Sequence, residues 1–455
     1  MQISMDRDSI DFALQPVPLL FHRLLVPTLL GMVFNMAFIL TDGIFVGHGV
    51  GPEGLAAINL VGPLMMLITG TGLMFGIGST VVAAIHLSHN NVKAARINVT
   101  QAYIASTVIS FLLCGLFILF SSPILLLLGV TPDLMPYARS YFDFFIPTCI
   151  FLMFQIVGEF VIRLDGSPKF AMYANIIPAV VNIILDYTFV IPLGWGLRGA
   201  ALATDFGTSI GAFMTLYYMF FKSRTLRFYR LKHTFKSLRL SLRNVSYMVH
   251  TGASAFIGEF SIAMMMMVGN IAFGRWIGDD GIAAYSVICY LFPVVYMVCN
   301  AIAQSAQPMM SYDYGAKRPS RVRSAFLLSL FYSIAFGLVM TLVFVIFPSL
   351  VISVFLDAGS SAYSLAVEGL PLYAISLIPV AFNVAAIFYF QSVGHPSFST
   401  LLMLLRGVIV MVPAFLLFPN LLASSLSEVI VLWMAIPVAE VVTSVVALVR
   451  FATSY

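Results

Sequence analysis

Charge is what this chain has least of. Asp, Glu, Lys and Arg together supply 9% of its 455 residues, against about 25% in an average soluble chain. Hydrophobic residues supply 60%. A soluble globule of this size could not cover its surface with so few charges, and disorder would need the opposite balance. Cysteine is scarce too. Cys114, Cys149, Cys289 and Cys299 lie in apolar runs with neither CxxC nor metal-ligand spacing, so they read as packing residues. The seven histidines show no metal spacing either. Walker and HExxH motifs are missing, which removes ATP drive and the HExxH zinc-hydrolase set. The N-terminus has Asp6, Asp8 and Asp11 where a signal peptide has basic residues, so the first apolar segment is expected to stay as a membrane span. The class left is an all-α polytopic membrane protein, and not an enzyme.

Apolar stretches long enough to cross a bilayer are what the chain does have. Twelve are expected, with cores at 17–41, 55–85, 98–120, 137–161, 170–192, 200–221, 246–273, 282–310, 324–347, 363–390, 398–418 and 429–450; these are spans 1 to 12. Several carry an internal proline, among them Pro27, Pro63, Pro178, Pro293, Pro379 and Pro437, which serve either as hinges or simply as shape. With the N-terminus inside, the inward segments hold 20 Lys and Arg and the outward segments only Arg139, Arg198 and Arg275. Arg406 and Arg450 count among the inward ones. Positive residues mark the cytoplasmic side, so both termini are expected in the cytoplasm of a plasma (inner) membrane protein. The run Lys222–Arg243 holds eight cations mid-chain. It is either a plain linker or a contact for anionic lipid headgroups; nucleic acid is not an expected partner.

The chain also repeats itself. Gly54-Leu-Ala-Ala-Ile58 returns as Gly281-Ile-Ala-Ala-Tyr285, Lys93-Ala-Ala-Arg96 as Arg318-Pro-Ser-Arg321, and Gly166-Ser-Pro168 as Gly394-His-Pro396, at offsets of 225 to 228. A duplicated six-helix unit follows: an N-lobe at 1–221, a basic cytoplasmic linker at 222–245 and a C-lobe at 246–455. Two such bundles related by an axis along the membrane normal point to alternating access around a solute between them.

Ionisable groups inside a membrane are costly and usually functional. Asn182 and Asp186, four residues apart, share one face of span 5. Asp42 ends span 1, and Thr204 opens span 6 beside Asp205. Topology places Asp42, Asp186 and Thr204 near one side of the membrane, where two carboxylates sharing a dry pocket need a proton or a cation. Carboxylate, amide and hydroxyl oxygens also suit Na⁺, which makes a coupling site for H⁺ or Na⁺. The plainer alternatives are a helix–helix hydrogen bond for Asn182 and Asp186, a loop cap for Asp42 and a structural role for Asp205. Glu159 sits four residues before Arg163, so it is either a coupling acid or half of an ion pair. Glu259 and Glu440 are single acids in spans 7 and 12 that meet substrate or pair locally. Met264 and Met267, with Tyr285, Tyr290 and Tyr296, form either an adaptable substrate wall or ordinary filler. The repeat puts Gly269, Ile387 and Ala414 opposite Asp42, Glu159 and Asp186, so ion coupling is expected in the first lobe.

Thr41-Asp-Gly-Ile-Phe-Val-Gly-His48, Gly54-Leu-Ala-Ala-Ile58, Asn98-Val-Thr-Gln-Ala102, Arg163-Leu-Asp-Gly-Ser-Pro168, Asn182-Ile-Ile-Leu-Asp186, Gly196-Leu-Arg-Gly-Ala-Ala-Leu-Ala-Thr204 and the stretch from Gln304 through Arg318 resemble the multidrug and toxic compound extrusion (MATE) family across about residues 15 to 450. The resemblance implies twelve helices in two six-helix lobes. It implies export of organic, mostly cationic lipophilic compounds in exchange for H⁺ or Na⁺, with no other cofactor and a probable monomer. The family's N-lobe cation site carries over onto Asp42, Asn182, Asp186 and Thr204, and Glu159 matches an acid of helix 4. Span 10 lacks the acid that C-lobe sites use, which leaves Glu259 alone there. The rival from the same superfamily is a lipid-linked saccharide flippase, which would want a basic central cavity; an intramembrane enzyme and a channel are the others.

Overall fold

The computed structural model describes residues 10–128, 130–231, 234–422 and 427–453. Asp6, Arg7, Asp8, Lys232 and His233 lie outside the described residues.

Among the described residues the chain is all helix and connection. Nine helices are long and apolar enough to cross a membrane. Two more spans are bent pairs: Met135–Phe145 with Thr148–Leu164 at 51°, and Ser361–Ala374 with Leu377–Ser392 at 45°. The remaining expected span, the sixth, is Gly196–Tyr217, 22 residues long, or about 33 Å at 1.5 Å per residue, which covers a hydrocarbon core of about 30 Å. It falls short only in hydropathy, and its composition shows why. Its buried face is Gly199, Ala200, Ala201, Ala203, Thr204, Gly207, Gly211, Ala212 and Thr215, small residues that let neighbouring backbones come close. The hydroxyls of Thr204, Thr208 and Thr215 donate to carbonyls of their own helix at 3.1, 2.8 and 2.8 Å, so its polar atoms are satisfied without water.

The backbone repeats as the sequence does. Helix breaks that require a left-handed residue recur in pairs: Gly51 (φ 101°) with Gly278 (90°), Asn90 (57°) with Lys317 (56°), and Gly166 (92°) with Gly394 (78°). Their offsets are the 227–228 of the sequence repeat. The two bent spans are also a pair, breaking at Ile146-Pro147 and at Ile375-Ser376.

The chain forms two compact units: Met1–Phe256 with Ser311–Arg321, and Ile257–Met310 with Val322–Tyr455. In the first unit, span 1 (Val17–Gly49) packs chiefly on span 5 (Pro168–Val190), and span 6 on spans 4 and 5. Its apolar core includes Val46, Ile68, Phe117, Phe142, Phe145 and Leu197. In the second unit, Ala386, Ile387, Phe390, Leu402, Met403 and Ala447 pack together. Phe111, Leu112, Ile118, Leu119, Phe331 and Val339 point outward and exposed, as lipid-facing residues do.

Two guanidiniums at repeat-related positions brace the first unit. Arg96 donates to the carbonyls of Thr225 (2.7 Å) and Arg224 (2.9 Å), while Asp165 accepts from the N–H groups of Thr225 and Leu226. Arg321 grips both oxygens of Asp313 at 3.0 Å and donates to the carbonyls of Gln15 and Phe12. Each brace holds the backbone leading into a long helix, span 7 (Phe235–Trp276) or span 1. Beside them, spans 2 and 7 touch backbone to backbone. A Cβ at Gly78 would strike the Met248 carbonyl, and one at Gly252 the Met74 carbonyl. Overpacking of this kind costs about 1–3 kcal/mol. Gly252→Val should therefore lower the thermal midpoint of detergent-solubilised protein by several degrees. Gly115→Val, where nothing lies within 4 Å, should leave it unchanged. Equal midpoints for the two variants would refute the close approach.

Candidate functional site

The contact of spans 1, 5 and 6 brings Asp42, Asn182, Asp186 and Thr204 together. Asp186 is 0% exposed, Asn182 and Thr204 are 3% exposed, and Asp42 is half-buried. The carboxyls of Asp42 and Asp186 are neighbours. The hydrogen-bond order around them is informative. Thr204 Oγ1 donates to the Ala200 carbonyl (3.1 Å), and Asn182 Nδ2 donates to Thr204 Oγ1 (3.5 Å). The Thr204 hydroxyl and one N–H of Asn182 are thereby engaged. Asp42 Oδ1, Asn182 Oδ1 and both oxygens of Asp186 are buried and receive no hydrogen bond from any described residue. Four acceptor oxygens with no donor fit a proton or a hard cation and little else.

Two neighbouring groups complete this region. Thr148, just beyond the bend of span 4, donates to Asp205 Oδ1, which gives Asp205 the structural role its position near a span end suggested. Tyr141, on the other side of the bend, is buried, stacks on Phe145 at 5.7 Å, and lies within electrostatic reach of Asp42, Asp186 and Asp205. Nothing in the sequence marked Tyr141, because the bend that turns it inward has no length signature.

Glu159 and Arg163 form a buried pair, Oε2 to Nη2 at 3.5 Å, and the Arg163 guanidinium lies 4.7 Å from the centre of the Phe160 ring. Of the two readings open for Glu159, the ion pair is present.

In the second unit the positions opposite the carboxyl pair are filled by aromatic packing. A Cβ at Gly269 would strike the Tyr285 ring. Tyr285 stacks on Phe273 at 4.7 Å and meets Phe415, the neighbour of Ala414, at 5.8 Å. Its hydroxyl donates to the Met265 carbonyl at 2.9 Å. Tyr285 is therefore packed in the core, as the filler alternative has it. Tyr290 is exposed and stacks on Phe355, and Met267 is 53% exposed, so both face outward. Met264 is half-buried. Tyr296 does line a cavity, in company with Met265, Met403, Met411, Ser261, Arg406 and Glu440.

Arg406 corrects the sequence reading most sharply. It was counted with the cations flanking the membrane. It is instead 5% exposed, inside span 11, on a π-helical turn (Leu405–Ile409) between Pro396–Leu404 and Met411–Leu416. Its Nε and Nη2 both donate to Glu440 Oε1, at 2.9 and 2.6 Å. Glu440 Oε2 accepts from Asn383 Nδ2 at 2.7 Å, and Asn383 Oδ1 accepts from Ser444. The signal was available: Arg406 has five apolar residues before it and, past Gly407, five after it. Glu259 is half-buried next to cavity-lining Gly258 and within electrostatic reach of Tyr296.

The family model MatE matches residues 27–188 and 254–416, one segment in each half of the repeat. The chain belongs to the MatE family. It is accordingly a multi-pass membrane protein and a transporter, not an enzyme. Among curated MATE relatives and their kin, the FAD transporter of Shewanella oneidensis is 23% identical over 408 residues, covering 88% of this chain and 87% of that protein. The multidrug export protein MepA of Staphylococcus haemolyticus is 21% identical over 328 residues, 72% of this chain and 71% of that one. A solved outward-facing MATE transporter of the MOP superfamily superposes with a TM-score of 0.87 at 19% identity, over 97% of this chain and 96% of that one. That likeness establishes the shared fold.

The closed Arg406–Glu440 pair and the open Asp42–Asp186 pair should answer mutation differently. Glu440→Gln strands a buried guanidinium, which costs about 3–5 kcal/mol, and should lower the thermal midpoint markedly. Arg406→Met with Glu440→Leu removes both charges and should recover most of that loss. A double variant no more stable than Glu440→Gln would sink the ion-pair account.

Proposed function

We propose that the protein is a multidrug efflux antiporter of the inner membrane, exporting organic, mostly cationic lipophilic compounds in exchange for H⁺ or Na⁺. The observation that carries this reading is the set of four donorless buried oxygens on Asp42, Asn182 and Asp186. Two like charges about 4 Å apart repel by about 4 kcal/mol at an effective dielectric near 20. The pair therefore cannot stay doubly ionised in a dry pocket unless a proton or cation accompanies it. In this reading Asn182 and Thr204 orient the oxygens, and Glu159 and Glu440 serve the fold through their arginines.

The proposed organisation has an N-lobe at 1–221, a basic cytoplasmic linker at 222–245 and a C-lobe at 246–455, with both termini in the cytoplasm and one chain sufficient for transport. The surplus of inward Lys and Arg supports the orientation even with Arg406 moved into the membrane. Ion entry from outside neutralises the Asp42–Asp186 pair and alters the packing of span 1 on span 5. The loaded state binds drug less well, drug leaves outward, and the ion leaves inward. Ion and drug must each lower the other's affinity. The export activity named for the staphylococcal relative fits this reading. The flippase alternative draws less support, because both buried arginines described, Arg163 and Arg406, are paired with glutamates.

The test is efflux of a fluorescent organic cation from proteoliposomes with H⁺ and Na⁺ gradients imposed separately. One gradient should drive wild-type efflux and so identify the ion. Asp42→Asn with Asp186→Asn should reduce that gradient-driven rate at least about tenfold, within the usual span of coupling energies, without shifting the thermal midpoint downward. Intact efflux in the double variant would remove the site from the mechanism.

A further inference from the structure

The Arg406–Glu440 pair explains why the guanidinium is tolerated but leaves part of it unexplained. A guanidinium has five N–H donors. Nε and Nη2 are spent on one carboxylate oxygen, and the Arg406 face lies against the Tyr296 ring, 5.1 Å from its centre. Nη1 is buried and has no partner among the described residues. Ser261 Oγ is in the same position: buried, unpartnered and lining the same cavity. Stranding one such group is costly, and more so when it is charged.

The backbone brings Ser261 against the turn that carries Arg406. Gly407 stands where any Cβ would strike the Ser261 side chain, and it belongs to the π-helical turn that interrupts span 11. Such turns cost helix regularity and are found often at functional sites. Gly258 does the same on span 7, where a Cβ would come within 3.0 Å of the Tyr296 hydroxyl and 3.1 Å of the Met403 methyl. The rest of the lining is Met265, Phe292, Met403, Met411 and Ile436, an adaptable apolar wall. The space itself is about 20 Å³, enough for one oxygen-sized group.

We infer that this cavity in the second unit is an acceptor subsite: Arg406 Nη1 and Ser261 Oγ donate to one carboxylate or phosphate oxygen of an amphiphilic substrate whose apolar body lies outside the space. Glu440 holds the guanidinium in place and cancels most of its charge, so the site reads hydrogen-bond geometry more than net charge. The inference deepens the transport reading and rests on it.

The probes are a xanthene dye with a free benzoate and its ethyl ester, which share one cationic body. Affinity of each is measured by fluorescence polarisation on the full chain in lipid nanodiscs. The acid should bind wild type about tenfold more tightly than the ester, as one charge-assisted hydrogen bond allows. Ser261→Ala, which leaves the ion pair intact, should reduce that preference. Arg406→Gln with Glu440→Gln, which strands no charge, should abolish it while ester affinity holds. Equal binding of acid and ester by wild type, or a preference that survives the double variant, would overturn the subsite and leave drug transport standing. Failure of both dyes to bind would overturn the subsite and the transport reading together.

Discussion

A charge inside hydrocarbon must be matched within a few ångströms, and the arrangement of this protein follows from how each buried charge is matched. Moving an ion from water to a low-dielectric interior costs several kcal/mol even after relaxation. Glu159 and Glu440 meet that cost with arginines of their own chain. Asp42 and Asp186 form no ion pair among the described residues and face each other. The first two acids are therefore closed arrangements whose charge state is fixed by the fold. The Asp42–Asp186 pair is open, and in the proposed mechanism its charge state depends on an ion that arrives and leaves. A transporter driven by an ion gradient needs one arrangement of the open kind, and needs its other buried charges closed so that they do not compete.

The duplication shows that backbone and chemistry are separately adjustable. Left-handed residues recur at Gly51 and Gly278, Asn90 and Lys317, and Gly166 and Gly394, because a helix of fixed length must turn at fixed places. Side chains between those points have diverged. Where the first half has Asp42, the second has Gly269 with Tyr285 laid over it. The ring fills the space a carboxyl pair would need, and its hydroxyl is satisfied by the Met265 carbonyl. Polar chemistry in the second unit moved instead to spans 11 and 12, at Arg406 and Glu440.

Much of this was legible beforehand for physical reasons. Membrane spans announce themselves because hydrocarbon thickness sets their length, and Asn182 and Asp186 announced a shared face because four residues is one helical turn. Arg406 was misread because the count of positive residues assumes that cations flank spans, and a cation with a buried partner breaks that assumption. The partner, Glu440, is 34 residues away and invisible to any local rule. Tyr285 and Tyr141 were unreadable for a related reason. Which way an aromatic points in an apolar helix depends on bends and neighbours, and the 51° turn at Ile146-Pro147 has no counterpart in hydropathy.

In the proposed mechanism the ion must act through the seam between spans 1 and 5, since those two helices carry the carboxyls and span 1 packs chiefly on span 5. That seam is made of small contacts. A Cβ at Gly31 would sit 3.4 Å from Asn175, and one at Gly49 would strike Val190. Glycine on one side means few interlocked side chains to resist a change in spacing. A doubly charged pair pushes the helices apart, and a neutralised pair draws them together through a shared proton or ion. A few kcal/mol of repulsion is comparable to the packing energy of such a seam. In this mechanism a glycine-lined seam beside an open charge pair is what lets a single bound ion select between two positions of span 1, whereas the interlocked rings around Tyr285 in the second unit hold one position.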